Sequence, residues 1–303
     1  MPKLPSATLT LPPDAAGRLD ALLARLLPEL PRRRLKAAFR ARQVWVEGRP
    51  APASAPARPG AEVIVYEDEP ARPAELAARP LTLCYEDEAL LCALKPAGLP
   101  AYPLAPGEDS VASRLAARFP ELEGVGDLPL APGLCHRLDR ETSGLLLFAR
   151  TGPDFEAVRL AFEERVVEKD YLAWVEGPLE GAGEISAPIG RPRGRGPRVQ
   201  VVQTLDSPEM RKVWPAHTRW EVHQGAARPD PVGPESALVR VRIETGVTHQ
   251  IRAHLASIGH PLWGDALYGG PAAPRLYLHA WRLSLPHPRS GAPVEIALAP
   301  IFP

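Results

Sequence analysis

His136-Arg137-Leu138-Asp139-Arg140-Glu141-Thr142-Ser143-Gly144 runs directly into the apolar stretch Leu145-Leu146-Leu147-Phe148. From its residues alone this is a charged loop feeding a buried strand. Asp139 lies between Arg137 and Arg140 and admits two readings. It is either a structural ion pair or a reactive carboxylate kept ionised by nearby positive charge, which lowers a carboxyl pKa. The loop by itself favours the structural reading. A protein-kinase catalytic loop places Asp directly after His-Arg, with an Asn further on. Neither holds here, and no glycine-rich loop precedes the segment. Gly-x-Ser-x-Gly is absent, so a hydrolase nucleophile elbow is unsupported.

Two further segments carry chemistry. Glu168-Lys169-Asp170-Tyr171-Leu172-Ala173-Trp174-Val175-Glu176-Gly177 reads as a strand that follows a helix over 154–166. A Tyr on such a strand usually serves packing. Thr245-Gly246-Val247-Thr248-His249-Gln250-Ile251-Arg252-Ala253-His254-Leu255 reads as a turn into a helix. Thr248 suits its N-cap, Ile251, Leu255 and Ile258 share one side, and Gly259 and Pro261 end it. Arg252 falls off the apolar stripe and either points into a cleft or lies exposed. His249 and His254 lack the HExxH spacing of a zinc site. Leu94-Lys95-Pro96-Ala97-Gly98-Leu99, His260-Pro261-Leu262-Trp263-Gly264-Asp265 and Leu278-His279-Ala280 complete the set.

At 303 residues the chain has material for one large or two unequal domains. Residues 17–66 read as a first compact unit. Leu19, Leu22, Leu23, Leu26 and Leu30 fall at helical spacing, with Pro28 and Pro31 ending that helix near residue 30. A second helix is expected from Arg32 to Arg42, then a strand at Val44 and Val46, a turn at Glu47-Gly48 and a closing strand from Val63 to Tyr66. Residues 67–80, acidic and then rich in Ala and Pro, read as a linker. Over 81–303, strands are expected at 81–84, 90–94, 144–148, 171–175, 199–203, 237–243, 276–279 and 294–298. Helices are expected at 110–119 and 154–166, and irregular chain at 190–197 and 224–234. Many strands and few helices indicate an α+β fold.

The formal net charge is zero, so any case for binding a polyanion rests on local patches. One such patch is clear: residues 18–49 hold nine Lys or Arg against Asp20, Glu29 and Glu47. Arg32, Arg33, Arg34, Lys36, Arg40 and Arg42 lie on or beside the second helix, where three- and four-residue spacing gathers several on one face. That face suits a phosphate backbone, though a charge run alone favours a solvated helix surface. Arg191, Arg193, Arg195 and Arg198 form a second basic cluster in a Gly/Pro-rich stretch. The three cysteines, Cys84, Cys92 and Cys135, form no CxxC pair, so no disulfide framework or metal site is expected. The N-terminus lacks a hydrophobic signal core, and no stretch reaches the length of a membrane span without charges. A cytoplasmic location is expected.

The order and spacing of these segments carry a resemblance. His136–Gly144 resembles the HRLDRxTSG signature of the RluA family of pseudouridine synthases, and the other segments match later and earlier positions of that family. Residues 17–66 are similar to the S-four-type (α-L) RNA-binding domain. Trp45, Val247 and Pro100-Ala101-Tyr102-Pro103 are departures from the usual patterns; Val247 stands where Arg or Lys is common. The resemblance implies a catalytic domain over 81–303 with a mixed, largely antiparallel sheet, behind a small N-terminal α/β RNA-binding domain. It implies that Asp139 is the catalytic carboxylate, that Tyr171 stacks on the uracil or helps move a proton, and that Arg252 pairs with Asp139. Arg32, Arg33, Arg34, Lys36, Arg40, Arg42, Arg137 and Arg140 are the expected RNA-binding residues. The reaction isomerises a uridine within RNA after flipping it from its stack. No cofactor and no metal is implied. The expected partner is large-subunit ribosomal RNA, with transfer RNA as the alternative, acted on by a monomer. Two competing classes are a non-catalytic RNA-binding protein and a metal-dependent hydrolase.

Overall fold

A computed structural model describes residues 5–40, 43–66, 73–104, 108–194, 196–224, 227–298 and 302. The chain divides into two compact units, Met1–Ala71 and Arg72–Pro303. The first unit runs β1 (Pro5–Thr10), α1 (Leu19–Leu26), α2 (Arg32–Arg40), β2 (Val44–Val46), β3 (Arg49–Pro50) and β4 (Glu62–Tyr66). Its antiparallel sheet has the order β1-β4-β2-β3. Leu19, Leu22 and Leu23 of α1 and Leu35, Ala38 and Phe39 of α2 pack with Val44, Val63 and Val65 of the sheet. The expected turn at Glu47-Gly48 closes the β2–β3 hairpin, and both residues have positive φ (49° and 73°), as a tight two-residue hairpin turn requires. Trp45 sits edge-on to Tyr66 at 5.9 Å, so this departure from the family pattern is absorbed by packing. The strand β1 went unread because it alternates weakly polar residues at an edge.

Within the stretch read as a linker, 67–72 lie outside the described residues and Pro73–Ala78 form a helix, α3. Pro at its first position and buried Leu76 explain why a Pro-rich stretch still coils. The second unit continues with β5 (Thr82–Glu86), β6 (Leu90–Lys95), α4 (Val111–Arg118), β7 (Ser143–Ala149), α5 (Gly152–Glu163), β8 (Glu168–Glu176), β9 (Ala182–Ile185), β10 (Ile189–Pro192), β11 (Gln200–Val201), β12 (Met210–Trp214), β13 (Thr218–Val222), β14 (Ser236–Ile243), α6 (Gln250–Ser257), β15 (Leu278–Pro286) and β16 (Pro293–Ala297). Nine strands form one sheet, β5-β6-β7-β15-β8-β14-β13-β9, with β16 paired to β15. Among the paired strands of its described residues, β7 and β15 alone run parallel. A small sheet, β11-β10-β12, stands apart from it. This is the mixed, largely antiparallel α+β architecture expected from the sequence. The strands β9, β10, β12 and β13 went unread because their apolar residues are too few to alternate clearly.

Alternation along each strand sorts the core. Leu91, Leu146, Phe148, Tyr171, Ala173 and Val239 face one side of the large sheet and pack with α4 and α6. Leu90, Cys92, Leu145 and Leu147 face the other and pack with α5 and with Leu283 and Ile296. The motif strands are therefore central ones, buried on both faces.

On β8, next to Tyr171, Asp170 is fully buried and stands opposite Arg242 on one neighbouring strand and Arg282 on the other. It accepts hydrogen bonds from Arg240 (2.8 Å), Arg242 (2.7 Å) and Arg282 (2.9 Å). Burial pushes the Asp170 carboxyl up, but these three guanidiniums outweigh it and hold it at about 2. A carboxyl depressed on folding stabilises the fold above its unfolded pKa near 4, and that contribution is lost as pH falls from 4 towards 2. Asp170→Asn is expected to cost about 2–3 kcal/mol at pH 7. Thermal melts should show the gap from wild type closing between pH 4 and pH 2. A gap that stays constant over that range would refute the assignment.

Candidate active site

The loop ahead of β7 is held from several directions. Lys95, fully buried at the end of β6, donates to the carbonyls of Pro96 (3.0 Å), Leu99 (2.7 Å) and Arg140 (2.7 Å). Burial pushes its ammonium down to about 7, against the pull of Glu141 and Asp139. The Arg140 side chain returns the contact, donating from Nε to the Gly98 carbonyl at 2.8 Å. His136 accepts from the Leu147 backbone N–H at 3.2 Å, and burial drives its pKa down to about 3, so it is a neutral anchor. Ser143 lies 2.7 Å from Nδ1 of His279 and accepts from Arg275 at 2.5 Å. Gly144 then has φ 123°, and a Cβ there would fall 2.2 Å from the Ala280 carbonyl. Only glycine lets β7 approach β15 at this point.

Asp139 emerges from that loop with its side chain 26% exposed, so one face is open to a ligand. Its Oδ2 lies 3.7 Å from Nη1 of Arg252 and 3.8 Å from Nε2 of His249. Tyr171 lines the same pocket from β8, together with Leu138, Val247 and Leu278. Its phenol is 7% exposed, and burial, then the Asp139 charge, push its pKa well above the usual value. The hydroxyl thus keeps its proton at neutral pH. Burial likewise lowers the His249 pKa against the pull of Asp139, leaving Arg252 as the cation beside that carboxylate.

The expected Asp139–Arg252 pairing is present as a loose contact. The tight partner of Arg252 is Asp265, which takes a bidentate fork from Nε and Nη2, both at 2.7 Å. Asp265 is 1% exposed and Arg252 7%, so the fork is dry. Tyr268 supports it: the Arg252 guanidinium lies over its ring at 5.2 Å, and its hydroxyl sits 3.2 Å from His249. Arg252 therefore points inward, as one of the two readings from its helical position had it.

The helix itself begins differently from expectation. Thr248 is not its N-cap. His249 takes that position with φ 57° and makes no side-chain capping bond. Gln250 organises the turn instead, accepting from the Thr245 hydroxyl (2.8 Å) and the Val247 N–H (3.2 Å) and donating to the His217 carbonyl (2.9 Å). An amide reaches both sides of the turn, whereas the Thr248 hydroxyl reaches neither. The helix ends at Ser257, and Gly259 follows with φ 88°, as expected.

Among the residues expected to bind RNA, Arg137 is exposed at the pocket rim and donates to the Tyr102 hydroxyl at 3.3 Å. Arg140 is engaged by Gly98, as above. In the first unit, Arg32, Arg33, Lys36 and Arg40 are exposed on α2 and Arg34 is partly buried; Arg42 lies outside the described residues. Of the second basic cluster, Arg191 lies on β10 rather than in irregular chain, Arg193 donates to the Pro208 carbonyl, and Arg198 lies over the Tyr268 ring at 5.3 Å. Arg195 lies outside the described residues. Sequence reasoning missed Asp265, Tyr268 and His249 as neighbours of the pocket. The only signal for Asp265 was its place in His260–Asp265, which carries no hint of an arginine partner.

A family model described as RNA pseudouridylate synthase matches residues 89–257, more than half of the chain, and spans Lys95, Asp139, Tyr171 and Arg252. The chain belongs to the RNA pseudouridylate synthase family. It is an RNA pseudouridine synthase, an isomerase acting on uridine in RNA. It is 37% identical to a ribosomal large subunit pseudouridine synthase D of Nitrosomonas europaea, over 93% of this chain and 81% of that one. It is 40% identical to an uncharacterized RNA pseudouridine synthase of Chloroflexus aurantiacus, over 92% and 85%. Among solved structures, human RNA pseudouridylate synthase domain containing 1 superposes with a TM-score of 0.59 at 28% identity, covering 73% of this chain and 83% of that chain. No helix among the synthase's described residues is long and apolar enough to cross a membrane.

Proposed function

We propose that this synthase isomerises uridines of large-subunit ribosomal RNA, as a monomer in the cytoplasm, with Asp139 as the group that starts the reaction. The observation that carries this reading is the convergence of Arg252, His249 and Tyr171 on one partly exposed carboxylate. In the reaction the bond from C1′ to N1 breaks and one from C1′ to C5 forms. The C5 proton leaves and N1 gains one, so no electron or group donor is needed. The Asp139 carboxylate is suited to meet the sugar, the base or a sugar proton, and each route needs it ionised beside Arg252. Tyr171, holding its proton, serves as a stacking surface and hydrogen-bond donor rather than a base. The names of the relatives support the ribosomal target.

Residues 17–66 are assigned as an S-four-type RNA-binding domain, with 81–303 as the catalytic domain. Arg32, Lys36 and Arg40 recur every four residues on the exposed side of α2. With Arg33, Arg34 and Arg137 they are assigned to the RNA backbone. Uridine tritiated at C5 provides the test, because the label is released only when C5 joins the sugar. Unmodified large-subunit transcript should release tritium and transfer RNA should not; the reverse pattern would overturn the target. Reversing Arg32, Lys36 and Arg40 together should weaken RNA binding at least about 10-fold and flatten its salt dependence, by about 0.7–0.9 in log–log slope per lost phosphate contact. Unchanged affinity would return α2 to a solvated surface.

A further inference from the structure

The space directly over Asp139 is only about 70 Å³. A groove of about 700 Å³ adjoins it, sharing Arg137, Tyr171, Ile243, Gly246, Val247 and Thr248 as a common wall. Small-molecule sites occupy roughly 300–1000 Å³, so it is the groove, rather than the pocket, that has room for nucleotide-sized groups.

Its lining is unusual for a chain of zero net charge. Among its described lining residues, Arg137, Arg165, Lys169 and Arg191 contribute four cations, and Glu244 is the only acid. None of the four has a carboxylate within ion-pair distance among the described residues. Arg137 touches the Tyr102 hydroxyl, and Lys169 lies 5.4 Å from the Phe162 ring centre. Glu244 is already paired with Arg219 at 3.2 Å. His136 also lines the groove but is neutral, as shown above. Four like charges gathered with so little compensation repel one another unless an anion joins them.

The far wall is the small sheet. In the β10–β12 pairing, Arg191 stands opposite Lys212 and Ile189 opposite Trp214, so Arg191, Lys212 and Trp214 share one face. Ile189, on the same face, is fully buried, whereas Trp214 is only partly covered, with the Lys212 ammonium 5.2 Å from its ring. A partly open indole among cations, next to the catalytic carboxylate, matches single-stranded nucleic acid: phosphates on the cations and a base on the ring.

We infer that this groove holds the RNA strand flanking the target uridine, with Trp214 stacking a neighbouring unpaired base and Arg165, Lys169 and Arg191 holding its phosphates. The inference rests on the isomerase reading above and adds a strand path to it. It also gives the β10–β12 sheet a task beyond packing.

The test uses the full chain and a C5-tritiated large-subunit ribosomal RNA transcript. Affinity is measured over a range of KCl concentrations, and tritium release under single-turnover conditions. Arg165→Glu with Arg191→Glu should weaken binding about 10- to 100-fold and reduce the log–log salt slope by about 0.7 per contact. Trp214→Ala should weaken binding about 5- to 100-fold, and Trp214→Phe should recover most of the loss. These losses should fall on half-saturation rather than on the rate at saturating RNA, with thermal melts confirming folded protein. Unchanged affinity, half-saturation and salt slope in the charge-reversed and Trp214→Ala proteins, alongside normal wild-type turnover, would overturn the groove. Absence of tritium release by wild type would instead overturn the target reading, while the affinity titrations would still decide whether the groove holds RNA.

Discussion

Asp139→Asn is expected to leave the fold and RNA affinity unchanged and to lower the single-turnover rate about 1000-fold or more. A positioned acid–base or nucleophilic group contributes roughly 10²–10⁴-fold, and this carboxylate is assigned the first step. The substitution keeps the side-chain shape and removes only the charge. The loop depends little on that charge, because His136, Arg140 and Ser143 hold it through backbone and neutral contacts and Lys95 keeps the larger pull of Glu141. Arg252 does not depend on it either, since its short contacts go to Asp265. Tritium release and RNA binding measured on the same preparation separate the outcomes. A rate within 10-fold of wild type would remove Asp139 from the chemistry. Lost binding with a lowered melting temperature would make it structural.

Asp265→Asn is the second large effect. It leaves the buried Arg252 guanidinium without its anionic fork, and breaking a buried pair costs about 3–5 kcal/mol. For a unit of this size that corresponds to about 6–20 °C in Tm. Activity should fall as well, at least about 10-fold when assayed below the melting transition. Freed from the fork, Arg252 moves from 3.7 Å into close contact with Asp139 and occupies the carboxylate that the substrate must reach. Arg252→Lys should lie between wild type and Asp265→Asn in both readouts, because an ammonium keeps the charge but lacks the planar fork. Wild-type stability and rate in Asp265→Asn would mean that the fork neither supports the fold nor sets the distance between Arg252 and Asp139.

The physical content of each motif was legible to different depths. The apolar run 145–148 and the period of 171–175 marked central strands because burial on both faces leaves only apolar residues there. The α2 charge face was legible because helical spacing is local. Roles that depend on contacts far along the chain were not. Arg140 reads like Arg137, yet one is fastened to Gly98, 42 residues away, and the other faces the groove. Thr248 is a sound N-cap by residue type, but Gln250 captured the turn through His217, 33 residues distant.

The amino-acid sequence by itself determined the α+β class, the two-part organisation, and an Asp, a Tyr and an Arg on a loop, a strand and a helix. The class and the elements follow from periodicity and turn chemistry, which act over a few residues, and the choice of those three side chains follows from the resemblance that the order of the motifs carries. Only the tertiary structure decided what those three groups do to one another. It placed Arg252 in a dry fork with Asp265 and left Asp139 loosely held and open. It also assembled Arg137, Arg165, Lys169, Arg191 and Trp214 from separate segments into one groove. Distances between side chains on different elements are set by sheet order and core packing, and no local pattern in the chain encodes them.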